Sequence, residues 1–162
     1  MRAGRASLGI SILLLLTLQC ACDLPSDSAL INRFSQKRAQ LDRIRQMIDE
    51  DNLDGRIHAD YADPKLSVAR LAEYRSLLRN AGVMRLWAHG TSKPFELVVD
   101  GSGFLSQGDY KGYLYDPAPQ NPPLPSLDDS CFDTEQIPAS QRFCSGVRNL
   151  GNGWWLIRYE YR

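Results

Sequence analysis

Few groups in this chain can carry covalent or acid–base chemistry. Cys20, Cys22, Cys131 and Cys144 are its only thiols, and His58 and His89 its only imidazoles. A cysteine nucleophile needs a base within hydrogen-bond reach, and Cys131 or Cys144 with His89 is the pairing that could supply one. Structural zinc sites are built from closely spaced Cys and His ligands. Each histidine here stands alone, so no metal is expected. No Gly-x-Ser-x-Gly motif marks an activated serine. Asp100-Gly101-Ser102-Gly103 has the wrong spacing for a phosphate loop or an EF-hand and reads as two tight turns between strands. The adjacent acids Asp128 and Asp129 could serve glycoside hydrolysis only with another carboxylate about 5–10 Å away, which nothing in the sequence supplies. The expectation is a protein that is not an enzyme, with an unrecognised hydrolase as the lesser alternative.

The cysteines acquire a different meaning from the segment that precedes two of them. Residues 1–21 carry Arg2 and Arg5 and no acid, followed by an apolar run from Leu8 to Leu18 containing Leu13-Leu14-Leu15-Leu16. That run is shorter than the roughly 20 apolar residues of a membrane-spanning helix and has the layout of a secretory signal. An anchor helix left in place is the competing reading. Without Arg2 and Arg5, the 19 basic and 19 acidic side chains of the whole chain become an excess of two acids. A nucleic-acid partner would call for a basic excess instead.

The end of this segment, Thr17-Leu18-Gln19-Cys20-Ala21-Cys22-Asp23, resembles the lipobox of bacterial lipoprotein signal peptides, a Leu-small-small-Cys pattern whose cysteine is acylated and becomes the mature N-terminus. Cys22, with Ala21 before it and Gln19 in place of the leucine, fits better than Cys20, which follows Gln19 directly. Ordinary cleavage after Ala21 is the main competitor. The resemblance implies a covalent lipid (diacylglycerol, with palmitate-type chains), no other cofactor, and a cell-envelope address facing the periplasm. Inner versus outer membrane stays open, although Asp23 after the acylated cysteine favours inner-membrane retention in some lineages. Exported domains sit where cysteines tend to pair. Acylation at Cys22 leaves Cys131 and Cys144 as an even pair, whereas acylation at Cys20 strands Cys22 as an odd thiol. A Cys131–Cys144 disulfide would close a loop of about 14 residues and contribute about 3 kcal/mol.

The remainder reads as one α+β domain over 29–162, joined to the signal segment (1–21) by a tether at 22–28. Leu30, Phe34, Leu41, Ile44 and Ile48 recur at helical spacing over 29–51, with Asp27 or Ser28 as N-cap. A second helix is signposted by Asp63-Pro64 at its start and Gly82 at its end. From Val83 the period becomes two. Met84, Leu86 and Ala88 alternate with Arg85, Trp87 and His89, and Phe95, Leu97 and Val99 with Glu96, Val98 and Asp100, around a turn at 90–94. Lys111–Asp116, Trp154–Arg162 and Arg142–Val147 complete the strands. The resulting expectation is two N-terminal helices packed on one face of an antiparallel sheet of about four or five strands. Residues 117–135, rich in Pro and Asp, read as a stiff surface loop.

Tryptophan and tyrosine concentrate in the sheet half. Trp154 and Trp155 are consecutive and must face opposite ways on a strand, so one of them beside Arg158 would form a partner-binding patch, since Trp, Tyr and Arg dominate such sites. The acids of 109–135, Asp128 and Asp129 among them, face a basic stretch at 142–162. They would either neutralise it or be offered to a basic partner. Size and address together suggest a non-enzymatic envelope protein of the immunity or inhibitor type, bound to another protein. The alternative is an assembly subunit docking through helix 29–51.

Overall fold

The computed structural model describes residues 24–104, 107–121, 123–133 and 142–161. Cys20, Cys22 and the signal segment lie outside the described residues. The elements are α1 (Asp27–Asp51), β1 (Asp54–His58), α2 (Val68–Ala81), β2 (Arg85–His89), β3 (Phe95–Phe104), β4 (Gln107–Tyr115), a 3-10 turn (Cys131–Asp133), β5 (Phe143–Gly151) and β6 (Trp154–Tyr161). The class is α+β: two helices and one antiparallel sheet of six strands ordered β1-β2-β3-β4-β6-β5. Among the described residues no helix is long and apolar enough to cross a membrane.

The strand beyond the expected four or five is β1. Only Ile57 of Asp54-Gly-Arg-Ile-His58 enters the core, so the stretch lacks the alternation that announces a half-buried strand. Its outer edge is closed by the following residues, through the His58 amide to the Tyr61 carbonyl and the Asp63 amide to the Arg56 carbonyl. The Asp63 carboxylate accepts from the Arg56 amide and the Tyr61 hydroxyl. Asp63 is therefore held at the sheet edge and caps no helix. The cap of α2 is Ser67, whose hydroxyl accepts the Arg70 amide, and Gly82 ends the helix in the left-handed conformation.

Helix α1 starts earlier than expected. Ser26 is its N-cap, and Asp27, which fell within the expected tether, sits buried in its first turn. The apolar side of α1, Leu30, Phe34, Leu41, Ile44 and Ile48, lies against the same sheet face as Tyr74 and Leu78 of α2. Burial of that stripe, more than intrinsic propensity, is what makes such a helix stable. Leu86, Ala88, Phe95, Leu97, Val99, Tyr113, Trp154 and Leu156 supply the sheet's side of this core. The helices run antiparallel: Arg43 of α1 bonds Glu73 of α2, while Arg33 reaches the Gly82 carbonyl beyond the end of α2.

The Asp100–Gly103 stretch lies inside β3, after an irregularity in register between Val98 and Asp100. It does not form the two turns its composition suggests. The β5–β6 connection is Asn152-Gly153, both at positive φ, the pairing that two-residue hairpins favour.

The described part of the proline-rich segment lies on the surface, with Pro117, Gln120, Pro123 and Pro125 exposed, and is tied down as a strap. Asp116 meets the start of β6 through its amide to the Gly153 carbonyl, Pro123 bridges Val147 in parallel, and the Leu124 amide donates to the Val147 carbonyl. It thereby covers β5, an edge strand that would otherwise present unpaired backbone groups. Leu127 is then buried in the main core. A Cβ at Gly146 would lie 3.2 Å from Leu127 and closer still to Leu124, so glycine there is what lets the strap cross.

Candidate functional site

Two constellations of polar and aromatic groups emerge, one on each sheet face. The helix-side constellation is buried and ionic. Lys111 of β4 (1% exposed) donates to Asp27 at 3.1 Å, Asp128 at 2.6 Å and the Pro25 carbonyl at 3.3 Å. Asp27 also meets Arg148 at 3.2 Å and accepts the Leu127 amide, and the Asp27 amide donates to Asp128. Burial works against the Asp128 carboxylate, but hydrogen bonds from Lys111 and the Asp27 amide outweigh it and hold its carboxyl below the usual range.

Beside Lys111 in the sheet, Arg158 donates to the carbonyls of Leu127, Asp128 and Asp129 and meets Asp109 at 3.1 Å. Glu160 accepts the Ser130 hydroxyl and the Cys131 amide. Every one of these groups fastens the strap to α1 and the sheet. Cys131 and Cys144 are joined in a disulfide with 6.1 Å between their Cα atoms, so neither offers a thiolate to His89. Glu160 lies close to both sulfurs, but the oxidised pair has no ligand charge to give a metal.

The patch anticipated around Trp154, Trp155, Arg158, Asp128 and Asp129 is not assembled as one surface. Trp154 is enclosed under α1, edge-on to Phe34, Phe95 and Tyr115, with its indole N–H donated to Asp42 at 3.1 Å. Trp155 faces the opposite side, half-buried, donating to the Asp116 carbonyl. Arg158 shares the face of Trp154 and is buried. Of the two acids, Asp128 is engaged by Lys111, and Asp129 lends its carbonyl to Arg158.

The second constellation covers the sheet face that neither helix touches, and it includes residues the sequence reading passed over. Tyr110 and Tyr159 are cross-strand partners with ring centroids 4.7 Å apart. Their hydroxyls converge on Glu96, at 3.4 and 2.7 Å, and Tyr159, with Trp155, packs against Leu114, Val147 and Ile157, an apolar cluster of this face. Burial first, and then the Glu96 charge, push both phenols above the ordinary tyrosine value. Phe143 stacks on Tyr159 at 5.6 Å and meets Tyr161 at 4.9 Å. At the other end, Arg56 lies over Trp87 at 5.1 Å, His89 is 5.2 Å from the same indole, and Arg85 is 5.9 Å from the Tyr110 ring. Trp87, Phe143 and Tyr161 remain 37%, 37% and 38% exposed.

Alternation on β2 already separated Trp87 and Arg85 from the core-facing Leu86 and Ala88. What was missing was the strand order, which places β5 and β6 on the far side of β4. His58 lies elsewhere, on a pocket of about 350 Å³ with Arg75 and Arg79. No family model, no curated protein and no solved structure matches the chain.

Proposed function

We propose that this chain is a lipid-anchored cell-envelope protein, acylated at Cys22, whose domain binds another protein in the periplasm without catalysis, in the manner of an immunity or inhibitor protein. The single observation that carries the binding reading is the aromatic row Tyr110–Tyr159–Phe143–Tyr161 on the helix-free face, with Arg85 against Tyr110 and, toward the other end of the same face, the exposed Trp87 beneath Arg56. Rings held by Glu96 lose little side-chain entropy on association, and that cost otherwise erodes affinity. Their types are those that dominate binding hot spots. The lipobox-like end of the signal segment supports the address.

The assembly alternative asked for an α1 whose Phe34, Leu41 and Ile48 face is bare. Those residues are buried in the chain's own core, which leaves that reading without its supporting feature. Covalent capture of partners by the membrane-extracted full chain, compared with a Trp87→Ser, Tyr161→Ser chain, tests the proposal. A protein recovered by the first and lost by the second is the expected result. Equal recovery by both chains, or turnover of a cell-wall substrate with no partner, overturns it.

A further inference from the structure

The helix pair has two electrically different ends. At the end formed by the C-terminus of α1 and the N-terminus of α2, charges are matched: Arg43 and Arg70 are ion-paired with Glu50, Asp51 and Glu73 at 2.6–3.2 Å. At the other end, a cleft of about 460 Å³ lies between the helices, lined by Arg33 and Lys37 of α1 and Arg79 of α2, and no acid lines it. Among the described residues, none of these three cations has a carboxylate within 4.0 Å. Asp27 and Asp128, the acids at the start of α1, are already bound to Lys111.

This cationic end is also where the chain leads back to Cys22. Lys111 grips the Pro25 carbonyl and the Asp27 carboxylate, so the fold is fixed from Pro25 onward. Only three peptide steps separate Pro25 from Cys22, a reach of at most about 11 Å. The cleft begins at Ala29, one helical turn further on. A lipid on Cys22 would therefore keep this end, and not the charge-matched one, toward the headgroups, where an anionic surface acts on unpaired cations before salt screens it over a Debye length of about 8 Å.

We propose that the Arg33–Lys37–Arg79 end is the face on which the domain lies against an anionic lipid surface. The inference rests on the acyl anchor at Cys22. It fixes the orientation: with this end down, the charge-matched end points away from the membrane. The lipid provides attachment, and the three cations provide orientation, each worth about fivefold in partition near an anionic surface.

Lysine footprinting tests it. The chain has four lysines: Lys111 is buried, Lys37 lines the cleft, and Lys65 and Lys93 are exposed near the opposite end of the helix pair. The membrane-extracted full chain is reconstituted on vesicles of phosphatidylcholine, or of phosphatidylcholine and phosphatidylglycerol in equal parts, and acetylated. Lys37 is expected to react about fivefold more slowly on the anionic vesicles, with Lys65 and Lys93 changed by less than about twofold. Arg33→Gln with Arg79→Gln should restore most of the Lys37 reactivity. Circular dichroism checks that this variant is folded. Equal Lys37 reactivity on the two vesicle types overturns the proposal, as does protection that persists in the double variant. The mass of the N-terminal peptide separates failure of the anchor from failure of the surface. An unacylated chain overturns the anchored orientation. Lys37 protection when anionic vesicles are added to that chain still supports the charge-driven contact, and its absence removes both.

Discussion

The Tyr159 hydroxyl donates to Glu96 at 2.7 Å although the two residues sit on strands separated by β4. With Tyr110 bound to the other carboxylate oxygen, one acid on β3 organises rings from β4 and β6. The helix-free face is consequently a fixed relief of aromatic surface whose polar tips are bound in place. Such preorganisation suits recognition of a partner and adds nothing to acid–base chemistry, since the Glu96 oxygens accept from these two hydroxyls.

That arrangement predicts the alkaline behaviour of the tyrosines. Burial raises the phenols of Tyr74, Tyr110, Tyr113 and Tyr159, with Tyr113 pushed up to about 12. The folded state thus favours the neutral form, and the stability this contributes is intact below the unfolded value of about 10. It declines as pH rises above that value, because the unfolded chain then releases protons more readily than the folded one. Absorbance at the phenolate band should show these groups silent through pH 10 and ionising together with loss of fold. Glu96→Gln should bring Tyr110 and Tyr159 down without reaching the free value, since burial remains. Tyrosines that all titrate near 10 in the folded protein would contradict the packing of this face.

Acid should act on the opposite side of the sheet. The Asp128 carboxyl is held below its usual range, so its contribution is present above the unfolded value of about 3.9 and disappears as pH falls through the lower folded value. Denaturation midpoints measured from pH 6 downward should decline more steeply for the native chain than for Asp128→Asn, which is less stable at neutral pH and lacks this component. Parallel curves for the two chains would remove Asp128 from the acid response.

Much of this fold was legible because apolar period follows burial directly. The 3.6-residue stripe of α1 and the alternation through β2 and β3 each correspond to a face that is covered. The residues that misled are those whose local signal was redirected by distant partners. Asp63-Pro64 has the composition of a helix start, yet Asp63 is taken by the edge of β1. Arg158 has the composition of an exposed hot spot, yet three carbonyls of the strap reach it from 29–31 residues away. The convergence of Tyr110 and Tyr159 on Glu96 depends on strand order, which no local pattern encodes. Lys111 was the least legible of all, since a lysine within Lys-Gly-Tyr-Leu-Tyr reads as a solvent-facing strand residue until Asp27 is found opposite it.

The two tryptophans should separate stability from recognition. Trp154 is enclosed and hydrogen-bonded to Asp42, so Trp154→Ala should cost about 3–5 kcal/mol in denaturant unfolding. Trp87 is exposed over Arg56, and Trp87→Ser should alter stability by only about 0.5 kcal/mol while weakening partner capture about tenfold or more. A large stability loss at Trp87 would mean that its end of this face is core and not surface.

Lys111 provides the most direct test of how the strap is held. Its ammonium is shared by Asp27, itself 2% exposed, by Asp128 and by the Pro25 carbonyl. Lys111→Met keeps much of the side-chain volume but removes the charge, leaving Asp27 with Arg148 as its remaining cation. Breaking one partner of a buried pair typically costs about 3–5 kcal/mol, because the other charge is left uncompensated in a poorly solvated site. The loss should be largest at neutral pH and shrink in acid, where Asp128 becomes protonated and no longer needs the ammonium. Removing the charges on both sides, with Lys111→Met and Asp27→Asn together, should recover part of the loss, since no unpaired charge then remains at the start of α1. The same variants should free the segment between Pro25 and Asp27, read as faster amide exchange at Leu30, whose amide bonds the Ser26 carbonyl. If Lys111→Met unfolds at the same denaturant concentration as the native chain, the Lys111 cluster is incidental and the strap is held by Leu127, Arg158 and the disulfide.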